Sequence, residues 1–193
     1  MSTIVAIVEG PGEVDAIPIL IRRIAATVLP GTVPQVRRPI RVKRDRFLKE
    51  SELERYVDLA ARQSGPDGGV LIVLDADDDC PSELAATILH RATSTRSDRH
   101  IKVVLAKREY EAWFLAAADS IAGRRGLPDD TTAPNHPESI RDAKGWLTSR
   151  MPPGRAYKET RDQPALSSLF DLSMARRGAP SFDKMWRTVT ELL

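Results

Sequence analysis

One run of apolar residues that ends abruptly in acids constrains the fold of this chain more than any other segment. Residues 70–74 are Val-Leu-Ile-Val-Leu, and the segment Asp75-Ala76-Asp77-Asp78-Asp79 follows at once. A short apolar run rich in β-branched residues is typical of a central strand of a parallel sheet, buried on both faces. Ligands of such sheets bind beyond the carboxyl ends of the strands, so these acids lie where we expect chemistry.

Asp75 and Asp77 are the candidate ligands of a divalent cation. Side chains alternate along an extended segment, so both point to the same side if strand geometry continues through them. Two carboxylates held that close repel each other, and a raised pKa, a basic partner or a divalent cation relieves the repulsion. Mg²⁺ and Mn²⁺ favour such oxygen ligands. The pair therefore predicts a Mg²⁺ (or Mn²⁺) site, whereas Asp78 and Asp79 are candidates to cap the next helix.

Alternating apolar runs and helical periodicities predict an α/β fold. We expect strands at residues 3–8, 36–43, 69–74 and 101–106, alternating with helices at residues 14–28, 51–62 and 82–93. Strands that alternate with helices indicate a parallel sheet, here of about four strands flanked by helices. The segment 36–43 carries basic residues on one side and is expected near the edge of the sheet, with that face in water.

The second part of the chain has a different character. Glycine and proline residues interrupt short helical segments, with predicted helices at residues 138–150, from Pro164 and from Ser181. A chain of 193 residues is long enough for one sizeable core. We expect residues 1–120 to form the α/β domain and residues 121–193 to form a helical C-terminal extension packed on it.

Charge is nearly balanced overall but unevenly distributed. Twenty-nine Lys and Arg against 27 Asp and Glu leave a net charge of +2, which does not by itself indicate a nucleic-acid binder. Within residues 37–46, however, six positions are basic. This run is interpreted either as a solvated face or as a surface that meets nucleic-acid backbone. A single Cys and the absence of an apolar segment of ~18 residues predict a cytoplasmic protein without a membrane span.

Acids follow three of the predicted strands, and parallel strands would bring them to one edge of the sheet. These acids are Glu9 and Glu13, Asp75 and Asp77, and Glu109 and Glu111. The order of Glu9-Gly10 followed by Asp75-Ala76-Asp77 resembles the TOPRIM domain, the catalytic fold of topoisomerases, DnaG-type primases and overcoming-lysogenization-defect (OLD) nucleases. The resemblance covers roughly residues 3–118.

Within that fold the chain is most similar to a TOPRIM-like bacterial family that is often encoded beside ATPases in defence loci. The similarity includes residues 8–10, 74–78 and 109–114, and residues 157–160 resemble the tail of that family. It implies a Mg²⁺-dependent nuclease that hydrolyses phosphodiester bonds of DNA or RNA. The implied setting is an anti-phage defence system with a partner ATPase.

The resemblance also implies a role for each matching residue. Asp75 and Asp77 would hold Mg²⁺, and Glu9 would act as general acid/base or as ligand to a second metal ion. Glu13 matches the second acid of the OLD-like pattern and is the fourth candidate catalytic residue. Glu109 and Glu111 are candidate further ligands. Cations that could offset the charge of the substrate phosphate are Lys107, Arg108, Lys158 and Arg161.

Other functions fit parts of the pattern. An apolar strand that ends in Asp also occurs in Walker B motifs, but the chain has no Gly-x-x-x-x-Gly-Lys-Ser/Thr segment, so ATP hydrolysis by this chain alone is not expected. Receiver-type domains gather acids at strand ends, but their paired acids follow the first strand. The main alternative is a non-catalytic TOPRIM-like module that binds metal and a protein partner. The near-neutral charge favours this alternative, whereas the presence of every expected acid favours catalysis.

Overall fold

A parallel β-sheet forms the centre of the protein, as a computed structural model that describes residues 2–49 and 51–193 shows. Its strands within these residues are β1 (Thr3–Val8), β2 (Gln35–Val36), β3 (Ile40–Arg41), β4 (Gly69–Asp75) and β5 (His100–Ala106). The strand order is β2-β1-β4-β5, and β3 also pairs with β1. Each of these pairs is parallel, so the predicted α/β fold is confirmed.

The strand register places the carboxyl ends of β1, β4 and β5 at one edge of the sheet. Val8 of β1 pairs with Val73, and Asp75 of β4 pairs with Ala106. Residues 70–74 are at most 1% exposed, because helices cover both faces of the central strand. The segments that leave these three strands therefore meet at one edge, which is where the acids lie.

The predicted edge strand at residues 36–43 is divided into β2 and β3. Pro39 lies between them, and proline interrupts a ladder because it has no amide hydrogen to donate. Backbone bonds to β1 nevertheless continue on both sides of it. Arg37 donates to the carbonyl of Ile4 at 3.0 Å, and Val42 donates to that of Val8 at 2.8 Å. The basic segment therefore follows the outer side of β1 over its whole length.

Helices surround the sheet and account for most of the C-terminal part. They are α1 (Glu13–Val28), α2 (Arg44–Phe47), α3 (Glu52–Ser64), α4 (Pro81–Thr95), α5 (Ala112–Ala116), α6 (Ala143–Arg150), α7 (Glu159–Ser167), α8 (Leu172–Gly178) and α9 (Pro180–Leu192). The predicted helix at 138–150 is shorter than expected, since 137–139 form a separate 3-10 turn. Helix α7 begins five residues before the predicted start and includes Pro164. Within the described residues, no helix has the length and apolar character needed to cross a membrane.

Two hydrophobic cores lie on opposite faces of the sheet. The core under α3 and α4 is the smaller one, and the other joins α1 and α5 to the C-terminal helices. Five aromatic rings form the centre of the larger core, with neighbouring ring centroids 4.6 to 5.5 Å apart. These rings belong to Tyr110, Trp113, Phe114, Phe170 and Phe182. Residues on both sides of position 120 thus share one core, and the division at that position stays a prediction.

We expect Phe182→Ala to destabilise the whole protein, because its buried ring contacts Trp113 and Phe170. Truncating a buried Phe costs about 3–5 kcal/mol of unfolding free energy. Urea unfolding followed by both fluorescence and circular dichroism measures this loss, and Phe182→Leu is the milder control. A loss below about 1 kcal/mol would mean that α9 contributes little to the common core.

Candidate active site

Three carboxylates reach one place from three different strand ends. Glu13 begins α1 after β1, Asp75 ends β4, and Glu111 lies immediately before α5 after β5. Glu13 is 2% exposed and Glu111 is fully buried. Because their charges act on Asp75 and raise its pKa, the three lie within electrostatic reach of one another. We call Glu13, Asp75 and Glu111 the acid cluster.

Glu13 is held by the turn that precedes its own helix. Its Oε2 accepts hydrogen bonds from the backbone amides of Glu9, at 3.0 Å, and Gly10, at 3.1 Å. Burial is the main cause that raises the pKa of Glu13 to about 8, and the two amides only partly oppose it. Gly12 is needed in this turn, since a Cβ there would lie 2.5 Å from the carbonyl oxygen of Glu159. The glycine therefore allows α7 to approach the start of α1.

Asp75 and Glu111 are held by groups from distant parts of the chain. Asp75 Oδ1 accepts a hydrogen bond from the Tyr110 amide at 2.8 Å. Glu111 Oε1 accepts from the Tyr157 hydroxyl at 2.8 Å and from Gln163 Nε2 at 3.2 Å. Burial raises the pKa of Asp75 well above its usual value and that of Glu111 to about 7. Burial and mutual repulsion therefore favour protonation, unless a cation compensates the charge.

Arg44 joins a second set of acids at the rim of this cluster. Its Nη1 lies 3.5 Å from Glu9 Oε2 and 3.4 Å from Asp77 Oδ2. The same guanidinium donates to Asp79 Oδ2 at 2.6 Å and to the backbone carbonyl of Asp75 at 2.7 Å. Burial is the main cause that raises the pKa of Glu9, with Arg44 opposing it. A positive charge thus already lies between the Glu9 and Asp77 carboxylates.

The backbone changes direction between Asp75 and Asp77. Strand β4 ends at Asp75, and Asp77 has a left-handed conformation with φ of 50°. The expectation that both side chains point to one side required strand geometry through Asp77, and that geometry ends two residues earlier. The Asp77 side chain is 53% exposed and forms an ion pair with Arg44 at the rim of the site. The half-buried Asp75 therefore belongs to the acid cluster, and the exposed Asp77 belongs to the rim.

A cavity of about 240 Å³ opens over the acid cluster. Its charged lining consists of Glu9, Glu13, Asp75 and Glu159 with Arg41, Lys43, Arg44 and Lys144. Lys144 Nζ lies 2.5 Å from Glu159 Oε1. Burial lowers the pKa of Lys144, but the charges of Glu111, Glu159 and Asp75 outweigh burial and raise it. Acids and cations thus face each other across a small space.

The cations predicted to bind substrate lie outside the lining of this cavity. Lys107 lines a separate groove beside β5. Arg108 forms an ion pair with Asp78. Arg161 pairs with the buried Asp162, which also accepts a hydrogen bond from the Lys158 amide. Their role as substrate-binding residues stays a prediction.

Glu109 lies near the start of α6, beside Lys144. It is partly buried, and burial is the main cause that raises its pKa. The charge of Lys144 and the backbone amides of Ala143 and Lys144 oppose that rise. Its role as a metal ligand therefore stays a prediction, whereas Glu111 lies in the acid cluster itself.

Several site residues were not identified from the sequence. Lys144, Glu159 and Gln163 come from α6 and α7, and no local pattern distinguishes them from other polar residues on helices. Arg44 belongs to the basic run, but its sequence position did not indicate that it would turn toward the acids. These residues reach the cavity because α6 and α7 pack near the starts of α1 and α5.

Carboxylates are suitable ligands for a divalent cation, but in this structure the acids are hydrogen-bonded or ion-paired to other groups of the protein. In residues 2–49 and 51–193, no three His, Cys, Asp or Glu side chains are placed to share one metal ion. Two of the buried carboxylate oxygens that lack a hydrogen-bond partner nevertheless belong to residues of this site: Oε2 of Glu111, and Oε2 of Glu9, which Arg44 approaches only as an ion pair. Hard oxygen donors without partners are suitable ligands for Mg²⁺.

Fold and cavity together define an α/β protein with a carboxylate-rich site at the carboxyl edge of a parallel sheet. The chain belongs to the family described as "Domain of unknown function (DUF4276)", whose model matches residues 8–190. The matched region includes the acids at all three strand ends. No curated protein and no solved structure matches the chain.

We expect the metal-free protein to lose stability as the pH rises from 4.5 to about 8. The folded state raises the pKa of Glu13 from 4.5 to about 8 and that of Glu111 to about 7, so folding favours bound protons. The stabilisation from these bound protons is complete below the pKa of the unfolded state and is lost as the pH rises through the pKa of the folded state. Melting temperatures in EDTA across this range measure the loss.

The Glu13→Gln/Glu111→Gln double variant provides the comparison for this pH series. Glutamine carries no titratable proton, so its melting temperature should vary much less with pH in the same interval. If both proteins showed the same pH profile, the two glutamates would not be the groups that titrate.

Proposed function

We propose that this chain is a Mg²⁺-dependent phosphodiester hydrolase of TOPRIM type that acts on nucleic acid. The observation that carries the proposal is the meeting of Glu13, Asp75 and Glu111 beneath a cavity lined by cations. Carboxylates suit a divalent ion, and cations suit the phosphate that such an ion activates. The order of acids along the chain is also that of the TOPRIM resemblance.

Residues at two levels of the site would hold the metal. Asp75 and Glu9 face the cavity and would be the principal ligands, with Asp77 at the rim and Glu111 below. When bound, Mg²⁺ supplies stabilisation of the negative charge that develops on phosphodiester oxygens. Binding requires ionised carboxylates, so the protons favoured by burial must leave the cluster first.

Other groups in the cavity would act on the substrate directly. Arg41, Lys43 and Lys144 line the cavity and would hold and orient the phosphate. The alternative role of Glu9 is that of general base, since a partly buried carboxylate with a raised pKa is suited to accept the proton of an attacking water when it is not a metal ligand. Glu13 is fixed by two backbone amides and would keep the glycine turn in position.

The first test combines metal binding with cleavage. We expect Mg²⁺ to raise the melting temperature of the protein, since a ligand at roughly 100 times its Kd adds about 2.7 kcal/mol of stability. Mg²⁺ should also support cleavage of labelled DNA or RNA. Asp75→Asn should abolish both effects yet fold normally in EDTA, because it removes a crowded buried charge. Asp130→Asn, an exposed acid outside the cavity, is the matched control.

Absence of a metal-dependent rise in the wild type would contradict the metal site. Metal binding without cleavage of any nucleic acid would leave the non-catalytic module as the better function. One feature favours that second candidate, namely an apolar groove of about 430 Å³ beside β5 at the edge of the sheet. Val103, Leu105 and Pro180 are among its lining residues, and a protein partner is the ligand that such a surface suits.

Removal of Arg44 should increase the affinity for Mg²⁺. The guanidinium lies between Glu9 and Asp77, so a metal ion must compete with it for both carboxylates. These ion pairs are partly exposed and worth about 1 kcal/mol at most, so Arg44→Ala is expected to lower the Kd by about fivefold. Isothermal titration measures the change. Arg46→Ala, which removes an exposed arginine from the same short helix, is the control.

A weaker affinity in Arg44→Ala would show that Arg44 organises the ligands rather than competing with the ion. The anti-phage defence setting, the partner ATPase and the cytoplasmic location rest on the resemblance and composition alone. We propose these three features as the biological setting of the hydrolase.

A further inference from the structure

A row of exposed cations follows the outer edge of the sheet and ends at the cavity. Its members are Arg37, Arg38, Arg41 and Lys43, which we call the basic strip. Within residues 2–49 and 51–193, none of the four forms an ion pair with Asp or Glu. Many other arginines of this chain are paired, for example Arg62 with Asp58 at 2.7 Å. The strip is therefore a local excess of uncompensated positive charge.

The pairing of β1 with its neighbours gives the direction and length of the strip. Arg37 donates to the carbonyl of Ile4, and Arg41 is in register with Val8. Four residues of strand separate these two levels, which corresponds to about 13 Å. The strip therefore runs from the carboxyl edge of the sheet toward its amino edge.

Each end of the strip opens into a hollow. Arg41 and Lys43 line the cavity over the acid cluster. Arg37 and Arg38 line a groove of about 680 Å³, together with Arg62. A ligand that occupies both hollows must carry negative charge at several points along its length, as a sugar-phosphate backbone does.

The size of the cavity favours single-stranded nucleic acid over a duplex. Glu13 and Glu111 are at most 2% exposed, and the space above them is only about 240 Å³. A duplex is stiff over about 150 base pairs and holds its phosphates on the outside of a cylinder. A single strand is flexible enough to turn one phosphodiester into a small cavity, while its neighbouring phosphates stay outside.

We propose that the basic strip binds single-stranded nucleic acid and leads one of its phosphodiesters into the acidic cavity. This inference rests on the proposed function, because it assumes that the cavity is where phosphate is cleaved. It adds the substrate class, an unpaired polynucleotide strand rather than a mononucleotide or a duplex. It also adds Arg37 and Arg38 as residues that bind phosphates away from the cleaved bond.

Fluorescence anisotropy in EDTA tests binding apart from metal-dependent cleavage. The probes are labelled single-stranded DNA and RNA oligonucleotides and a blunt duplex of the same sequence, over a series of salt concentrations. We expect the wild type to bind the single strands at least about tenfold more tightly than the duplex, with affinity that falls as salt rises. Arg37→Ala/Arg38→Ala should weaken single-strand binding by about tenfold and reduce the salt slope by about 1.4, since each phosphate contact contributes about 0.7.

The matched control is Arg177→Ala/Lys184→Ala, which also removes two exposed cations, from α8 and α9. It should bind like the wild type. An equal loss in this control, no loss in Arg37→Ala/Arg38→Ala, or equal affinity for the duplex would each overturn the proposal. Absence of wild-type binding at low salt would overturn it as well.

Cleavage assays with Mg²⁺ separate this inference from the proposed function. If binding depends on Arg37 and Arg38 but no cleavage occurs, the role of the basic strip in binding is supported and the proposed hydrolysis is contradicted. If the protein cleaves nucleic acid but Arg37→Ala/Arg38→Ala binds it as tightly as the wild type does, the proposed hydrolysis is supported and the role of the basic strip is overturned.

Discussion

The placement of two buried glutamates beside the half-buried Asp75 is the constraint on which the rest of this structure depends. Glu13, Asp75 and Glu111 each lose hydration, and the remaining charges oppose ionisation further. Such an arrangement persists only where hydrogen bonds and a cation compensate it. The backbone amides of the glycine turn, the hydroxyl of Tyr157 and the ammonium of Lys144 provide that compensation. Acids with strongly raised pKa values occur often at functional sites, and this is the physical reason why the proposed function rests on the cluster.

The C-terminal helices are part of the site and not only a cover for the sheet. Helix α6 supplies Lys144, and α7 supplies Glu159 and Gln163. The aromatic core joins α5 to α9 and to Phe170, which lies between α7 and α8, and Gln163 of α7 donates a hydrogen bond to Glu111. Stability and site geometry are therefore coupled through one hydrophobic core, whichever chemistry the site performs.

Prediction from sequence succeeded where local patterns were sufficient. The strand at residues 3–8 and the central strand are found as predicted, because uninterrupted β-branched runs have few alternatives. The single edge strand at 36–43 was wrong in its extent, since Pro39 cannot donate to the ladder. Helix α7 begins earlier than predicted, since Pro164 lies inside the helix and not at its start. Pro164 is the sixth residue of α7, so it costs the helix one backbone hydrogen bond because proline has no amide hydrogen to donate.

The sequence alone determined that acids would follow three strands of a parallel sheet, because apolar runs and helical periods are local properties of the chain. It could not determine which acids would be buried together. Asp77 leaves the strand direction, whereas Glu13 and Glu111 turn inward, and that choice depends on backbone conformation and on helices far along the chain. The basic run already contained Arg41, Lys43 and Arg44, but no local pattern indicated that they would face the acids. Electrostatic compensation acts through space, so only the tertiary structure decided that Arg44 and Lys144 would meet these acids.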